Sequence, residues 1–328
     1  MTATADHMAD EEQIIRRYKV TKLSQKDVLR SDQFSKEEID LILRTAKGYK
    51  QSLKEGRLLD HMRGKILATL FYEPSTRTRL SFEAAMLRLG GEVISVAEAK
   101  SSSAAKGESL QDTVRTVEGY ADVIVLRHPQ IGAAEEAAAA TCIPVLNAGD
   151  GAGQHPTQAL LDLYTIIEEQ GKIDDLTIAL TGDLRNGRTV HSLALLLANY
   201  KIKFAFVAPK ELGMPDDIVS QVKARGIEVH QTEHLAEAIH EADVLYMTRI
   251  QRERFEDPAE YDRLKDAYVL TRSILEETKQ GLTVMHPLPR VNEISTDVDD
   301  LSGAAYFRQA ANGIPIRMAL LSLACSAV

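Results

Sequence analysis

Residues 66–91 read ILATLFYEPSTRTRLSFEAAMLRLGG, and this stretch decides the fold. Ile66–Phe71 is a short apolar run, the pattern of a strand buried on both faces. Ser75–Leu89 then places Phe82, Ala85, Met86 and Leu89 on one helical face, and Gly90-Gly91 ends the pattern. Between them lies Glu73-Pro74-Ser75-Thr76-Arg77-Thr78-Arg79. Orphan backbone N–H groups and the macrodipole favour an anion at a helix start. Arginines in a first turn oppose that dipole, and a bound phosphate would supply the reason. The plainer alternative is a Ser/Thr-capped helix with exposed arginines.

The same strand–turn–helix unit recurs outward from this point. Upstream, 35–55 reads as a helix with a Ser35/Glu38 capping box. Downstream, strands are expected at Val93–Val96, Asp122–Leu126 and Pro144–Leu146, with a helix at 132–140 and a polar loop at Ser101–Gly107. A long helix follows from Pro156 to Gln170, with proline at its start and Gly171 at its end. A second series has strands at Leu176–Leu180, Phe204–Val207, Ile227–Val229, Asp243–Met247 and Leu282–Met285. Its helices fall near 188–199, 216–225, 233–241, 258–266 and 273–280, with a final one around 315–326. This is an α/β architecture of two doubly wound parallel-sheet domains with an active-site cleft between them. The expected division is 1–155, plus the C-terminal helix at about 313–328, against 156–312.

Composition narrows the function. The chain has 328 residues, 44% hydrophobic and 27% charged, which fits two globular domains. It carries 39 basic against 48 acidic residues and no Trp, a poor profile for nucleic acid. Two cysteines suit a reducing cytoplasm, and no Cys/His cluster suggests a metal. No apolar run approaches the ~20 residues of a membrane span. The first ~18 residues lack the basic start and apolar core of a secretion signal.

The remaining strand-end turns collect unusual residues. Leu126-Arg127-His128-Pro129 ends one strand; a surface Arg and a capping His are its plain reading. Asn147-Ala-Gly-Asp-Gly-Ala-Gly-Gln-His155 has three glycines that would let backbone approach a ligand, then a histidine where the two series meet. Thr181–His191 contains Gly182 and Gly187, but not the GxGxxG spacing of a dinucleotide site. Thr248-Arg249-Ile250-Gln251 and His286-Pro287-Leu288-Pro289 follow later strands. There is no Walker loop, nucleophile motif or metal-ligand cluster. The set suits one or two anionic small molecules and an oxyanion, without a cofactor.

The runs FYEPSTRTRLSFEAA, SSSAAKGESL, VLRHPQ, NAGDGAGQHPTQALLDL, GDLRNGRTVHSL, LYMTRIQRERF and MHPLPRVNEI resemble the aspartate carbamoyltransferase catalytic chains, in order, from about residue 20 onward. The resemblance implies carbamoyl transfer from carbamoyl phosphate to L-aspartate, an early step of pyrimidine synthesis. It implies that Ser75, Thr76, Arg77 and Thr78 hold phosphate, and that Thr78, Arg127 and His155 polarise the carbamoyl carbonyl. Gln158 and the backbone of Leu288 and Pro289 would hold the carbamoyl amine. Arg188, Arg249 and Gln251 would grip aspartate. Ser102 and Lys106 would contact carbamoyl phosphate, and Lys106 also aspartate, from a loop that reaches the adjacent subunit of a homotrimer. Ser102 is placed by counting back from Lys106-Gly107-Glu108. Regulatory or dihydroorotase subunits are possible partners within this family.

Three other readings compete with this one. Ornithine carbamoyltransferases share the STRTR turn, but usually have Cys where this chain has His286-Pro287-Leu288-Pro289, and an SMG-type motif absent here. A non-catalytic homologue would be expected to lose Lys106, His155 or Thr78. A nicotinamide-dependent enzyme is disfavoured by the glycine spacing.

Overall fold

The computed structural model describes residues 20–97, 106–252, 255 and 257–326. The first sheet holds β1 (Ile66–Phe71), β2 (Glu92–Val96), β3 (Val123–His128) and β4 (Val145–Asp150), in the order β2-β1-β3-β4. The second holds β5 (Thr177–Thr181), β6 (Lys203–Val207), β7 (Glu228–Thr232), β8 (Val244–Met247) and β9 (Thr283–Met285), in the order β7-β6-β5-β8-β9. Every pair is parallel. In each sheet the order reverses beside the first strand, β1 or β5. The turns after these strands therefore open into a crevice at the carboxyl edge, where α/β folds bind ligands.

The helices are α1 (Lys36–Lys54), α2 (Thr76–Arg88), α3 (Leu110–Glu118), α4 (Ala133–Ala139), α5 (Pro156–Gln170), α6 (Arg188–Leu197), α7 (Asp216–Ala224), α8 (Leu235–Glu241), α9 (Pro258–Leu264), α10 (Arg272–Glu276) and α11 (Tyr306–Ala324). Ser35 caps α1 as expected, its Oγ accepting from Glu38 N at 3.2 Å while Glu38 Oε2 accepts from Ser35 N at 2.9 Å. α5 is buried on nearly all sides through Ile166, which explains why apolar residues stand on every face of it. It joins the two sheets, and one buried cluster runs from Phe82 and Leu67 through Leu160 and Leu163 to Leu180 and Leu193. Among the described residues no helix is long and apolar enough to cross a membrane.

Two elements differ from the sequence expectation. α3 was not anticipated. Its span LQDTVRTVE is rich in β-branched residues, which blur a helical pattern. The Ser109 cap, accepting from Asp112 N at 3.1 Å, is its clearest local signal. The final helix begins at Tyr306, upstream of the expected start near 315, and Pro315 lies inside it. Proline at that site removes one helical hydrogen bond. The helix nevertheless continues, wedged against α1, α2 and α5 with Ile316, Met318, Ala319 and Leu320 fully buried. Tertiary packing overrides the local stop.

Candidate active site

The two carboxyl edges face one another across a cleft of about 1090 Å³. The turn after β1 supplies Glu73 and Ser75–Thr78, Arg127 stands one residue before the end of β3, and α5 opens with His155 and Gln158. From the other side come Arg188 at the start of α6, Arg249 and Gln251 after β8, and Leu288 and Pro289 after β9. Every expected site residue except Ser102 and Lys106 lines this cleft. Ser102 lies outside the described residues. Lys106 is exposed and does not line the cleft of its own chain.

The start of α2 differs from the starts of α1 and α3. Ser75 occupies the N-cap position in extended conformation, but its side chain caps no backbone N–H, and no acid stands in the first turn. That helix end retains its donors and partial positive charge. Thr78 is buried behind it. Arg77 has its pKa lowered, first by burial and then by Arg249 across the cleft. The repulsion shows that the two sides present positive charge to the same space.

Arg127 and Arg188 converge deeper in the cleft. Both donate through Nη2 to Glu73 Oε1, Arg188 at 3.0 Å. Arg127 Nη1 also donates to Ala148 O at 3.2 Å, and Arg188 Nη1 donates to Gly151 O at 2.5 Å. Burial raises the Glu73 carboxyl, but Arg127 and Arg188 outweigh it and leave it lowered. The nearby His128 instead braces its own turn, its Nδ1 accepting from Gln130 N at 3.1 Å.

Of the three glycines around the end of β4, Gly149 makes room for these arginines, while Gly151 and Gly153 lie against Pro129 and Asp150. Gly149 has φ +116°, and a Cβ there would stand 3.0 Å from Arg188 Cζ and 3.2 Å from Arg127 Nη1. Side chains at this position would therefore displace both guanidinium groups. Gly182 is likewise structural: a Cβ would lie 2.2 Å from Thr248 O. Its bare backbone lets the ends of β5 and β8 approach.

His155 is buried at the start of α5, and its backbone N–H donates to Ser192 Oγ at 2.9 Å. Its pKa lies well below the usual imidazole range because of burial, then Arg188, Arg127 and Arg317. It is neutral near pH 7, and its Nδ1 is buried without a hydrogen-bond partner among the described residues. The loop after β9 is braced from behind. His286 Nδ1 accepts from Leu288 N at 2.8 Å, and His286 Nε2 pairs with Glu293 Oε1 at 2.7 Å. The Leu288–Pro289 bond is cis.

Glu73, Gln309 and Arg317 also line the cleft but were not singled out from sequence. Glu73 had a usable signal, its place just before Pro74 at a strand end. Gln309 and Arg317 had none, because α11 reaches the cleft only through packing.

Two parallel sheets facing one another across an arginine-lined cleft define a site for anionic small molecules. The chain matches the models of the aspartate/ornithine carbamoyltransferase carbamoyl-P binding domain over residues 26–168 and the Asp/Orn binding domain over 174–324. It is 56% identical over 298 residues to the aspartate carbamoyltransferase catalytic subunit of Thermococcus kodakarensis, covering 91% of this chain and 96% of that one. The catalytic subunit from M. jannaschii superposes with a TM-score of 0.85 at 53% identity, over 91% of this chain and 97% of that one. The Trypanosoma cruzi enzyme in complex with carbamoyl phosphate and aspartate superposes with a TM-score of 0.87 at 43% identity, over 92% and 97%. The chain belongs to the aspartate/ornithine carbamoyltransferase family.

Proposed function

We propose that this chain catalyses carbamoyl transfer from carbamoyl phosphate to L-aspartate. The amine of aspartate attacks the carbamoyl carbon and a C–N bond forms. The tetrahedral intermediate collapses, the C–O bond to phosphate breaks, and the amine's proton leaves. The products are N-carbamoyl-L-aspartate and phosphate.

The observation that carries this reading is the opposition of the uncapped α2 terminus, with Arg77, to Arg188, Arg249 and Gln251 across one cleft. Ser75, Thr76, Arg77 and Thr78 would hold the phosphate. Thr78, Arg127 and the neutral His155 would donate to the carbonyl oxygen as it gains charge. Gln158 and the backbone at Leu288 and Pro289 would accept from the carbamoyl amine. Arg188, Arg249 and Gln251 would bind aspartate's two carboxylates. The acid lining the cleft, Glu73, is held by Arg127 and Arg188, so it offers no site for ornithine's second ammonium. This favours aspartate within the family.

The division of labour follows the two sheets: residues 1–155 with the returning C-terminal helix take carbamoyl phosphate, and 156–312 take aspartate. Lys106, exposed and away from its own cleft, fits a homotrimer in which it and Ser102 complete a neighbour's site. The reaction would serve pyrimidine synthesis in the cytoplasm.

Calorimetry and steady-state kinetics test the two half-sites. Arg249→Ala removes a charge-assisted contact to a carboxylate, so the aspartate KM should rise by ~10²-fold. Carbamoyl phosphate binding in its absence should change little. Arg77→Ala should weaken carbamoyl phosphate first. Loss of carbamoyl phosphate binding in Arg249→Ala without aspartate present would contradict the division.

A further inference from the structure

Asp162 lies on α5 one turn after Gln158, fully buried and away from the expected substrate contacts. Its Oδ1 accepts from Gln158 Nε2 at 2.8 Å and from Gln309 Nε2 at 2.7 Å. Its Oδ2 accepts from Tyr246 OH at 2.8 Å. Three donors from three elements, α5, α11 and β8, thus converge on one carboxylate.

We propose that Asp162 is a positioning residue that locks the Gln158 amide with its nitrogen inward, so that its oxygen faces the carbamoyl amine. This rests on the carbamoyl-transfer reading above. The orientation is set through Gln309, whose Oε1 accepts from the backbone N–H of His286 at 2.8 Å. A backbone N–H can only donate, so the opposite end of Gln309, its NH₂, must meet Asp162. Asp162 Oδ1 is therefore an acceptor, and Gln158 must also present its NH₂ there. Gln158 Oε1 is the end left for the cleft. A free glutamine amide would offer NH₂ or oxygen with similar ease, and a flipped one would set donor against donor.

The carboxylate form suits this role. Burial pushes Asp162 up to about 7, while hydrogen bonds from Gln309, Tyr246 and Gln158 and the buried Arg317 act in the opposite direction. The same relay continues from Gln309 to His286, which holds the Leu288 N–H, so both expected acceptors of the amine share one buried frame.

The test uses three stable probes in calorimetry on the intact chain: phosphonoacetamide, acetonylphosphonate and inorganic phosphate. The first two differ by NH₂ against CH₃ at the position of the carbamoyl amine. The wild type should prefer the amide by roughly tenfold, the worth of a good hydrogen bond and the cost of leaving it unmade. Asp162→Leu should bring the two probes to within about twofold and leave phosphate affinity unchanged. Asp162→Asn keeps an oxygen for both glutamines and should retain the preference. Asp162→Ala, with water in the carboxylate's place, is a second loss variant to which the same outcomes apply should the leucine chain not fold. The proposal is overturned if the loss variants keep the amide preference, if they weaken all three probes equally, or if Asp162→Asn behaves like them. A wild type that binds amide and ketone alike would overturn the carbamoyl reading itself, and this proposal with it.

Discussion

His155→Ala and Lys106→Ala chains should each be almost inactive alone, yet regain about a quarter of wild-type activity when unfolded, mixed equally and refolded together. His155 lines the cleft of its own chain, whereas Lys106 is exposed and outside it. If Lys106 completes a neighbouring cleft, a site is intact only where a Lys106→Ala chain supplies the body and a His155→Ala chain supplies the loop. Random assembly of a C₃ trimer at equal ratio gives about one such site in four, provided the sites act independently. Each parent should be depressed by ~10²–10³-fold, the loss expected for one transition-state donor, so the recovery stands far above background. The readout is carbamoyl aspartate formation at matched protein concentration, with trimer confirmed by sedimentation. Hybrids that assemble and remain as inactive as their parents would place the action of Lys106 within its own chain, or remove it altogether.

The second large effect falls on Arg127. It sits at the carboxyl end of β3, anchored to Ala148 O and Glu73 and buried beside His155. A donor held this way costs no reorganisation when charge develops on the carbonyl oxygen. Arg127→Ala should therefore lower kcat by ~10²–10³-fold. Inorganic phosphate should still bind at the α2 terminus, where Arg77 and the uncapped N–H groups remain. A kcat within a few-fold of wild type would remove Arg127 from oxyanion stabilisation.

Most of the frame was legible because strands buried on both faces announce themselves as short apolar runs. Ile66–Phe71 and Pro156–Gln170 match the observed boundaries. The strand-end turns were legible for a related reason: arginine and histidine beside glycine, serine or proline are costly choices without a ligand. What escaped were features fixed by contacts distant in sequence. Pro315 reads locally as a helix start, and only the packing of α11 against three helices shows otherwise. Glu73 gains its meaning from Arg188, which lies in the other half of the chain. Asp162 reads as an isolated acid amid the apolar first three turns of α5 until Gln309 and Tyr246 are seen to reach it. The glycines around the end of β4 were legible as necessary, but Gly149 leaves its space to the two arginines, and Gly151 and Gly153 lie against Pro129 and Asp150.

The most direct test of the central claim is a colorimetric assay of carbamoyl transfer, run with aspartate and ornithine in parallel at equal concentration. Arg188, Arg249 and Gln251 supply donors for two carboxylates, while ornithine brings one carboxylate and a second ammonium. A site built for a polar group rejects a substrate lacking it by ~10⁴-fold or more, because its buried donors are left unpaired. The expected result is rapid formation of carbamoyl aspartate and no measurable citrulline. Comparable rates with the two amino acids, or transfer to ornithine alone, would contradict the assignment.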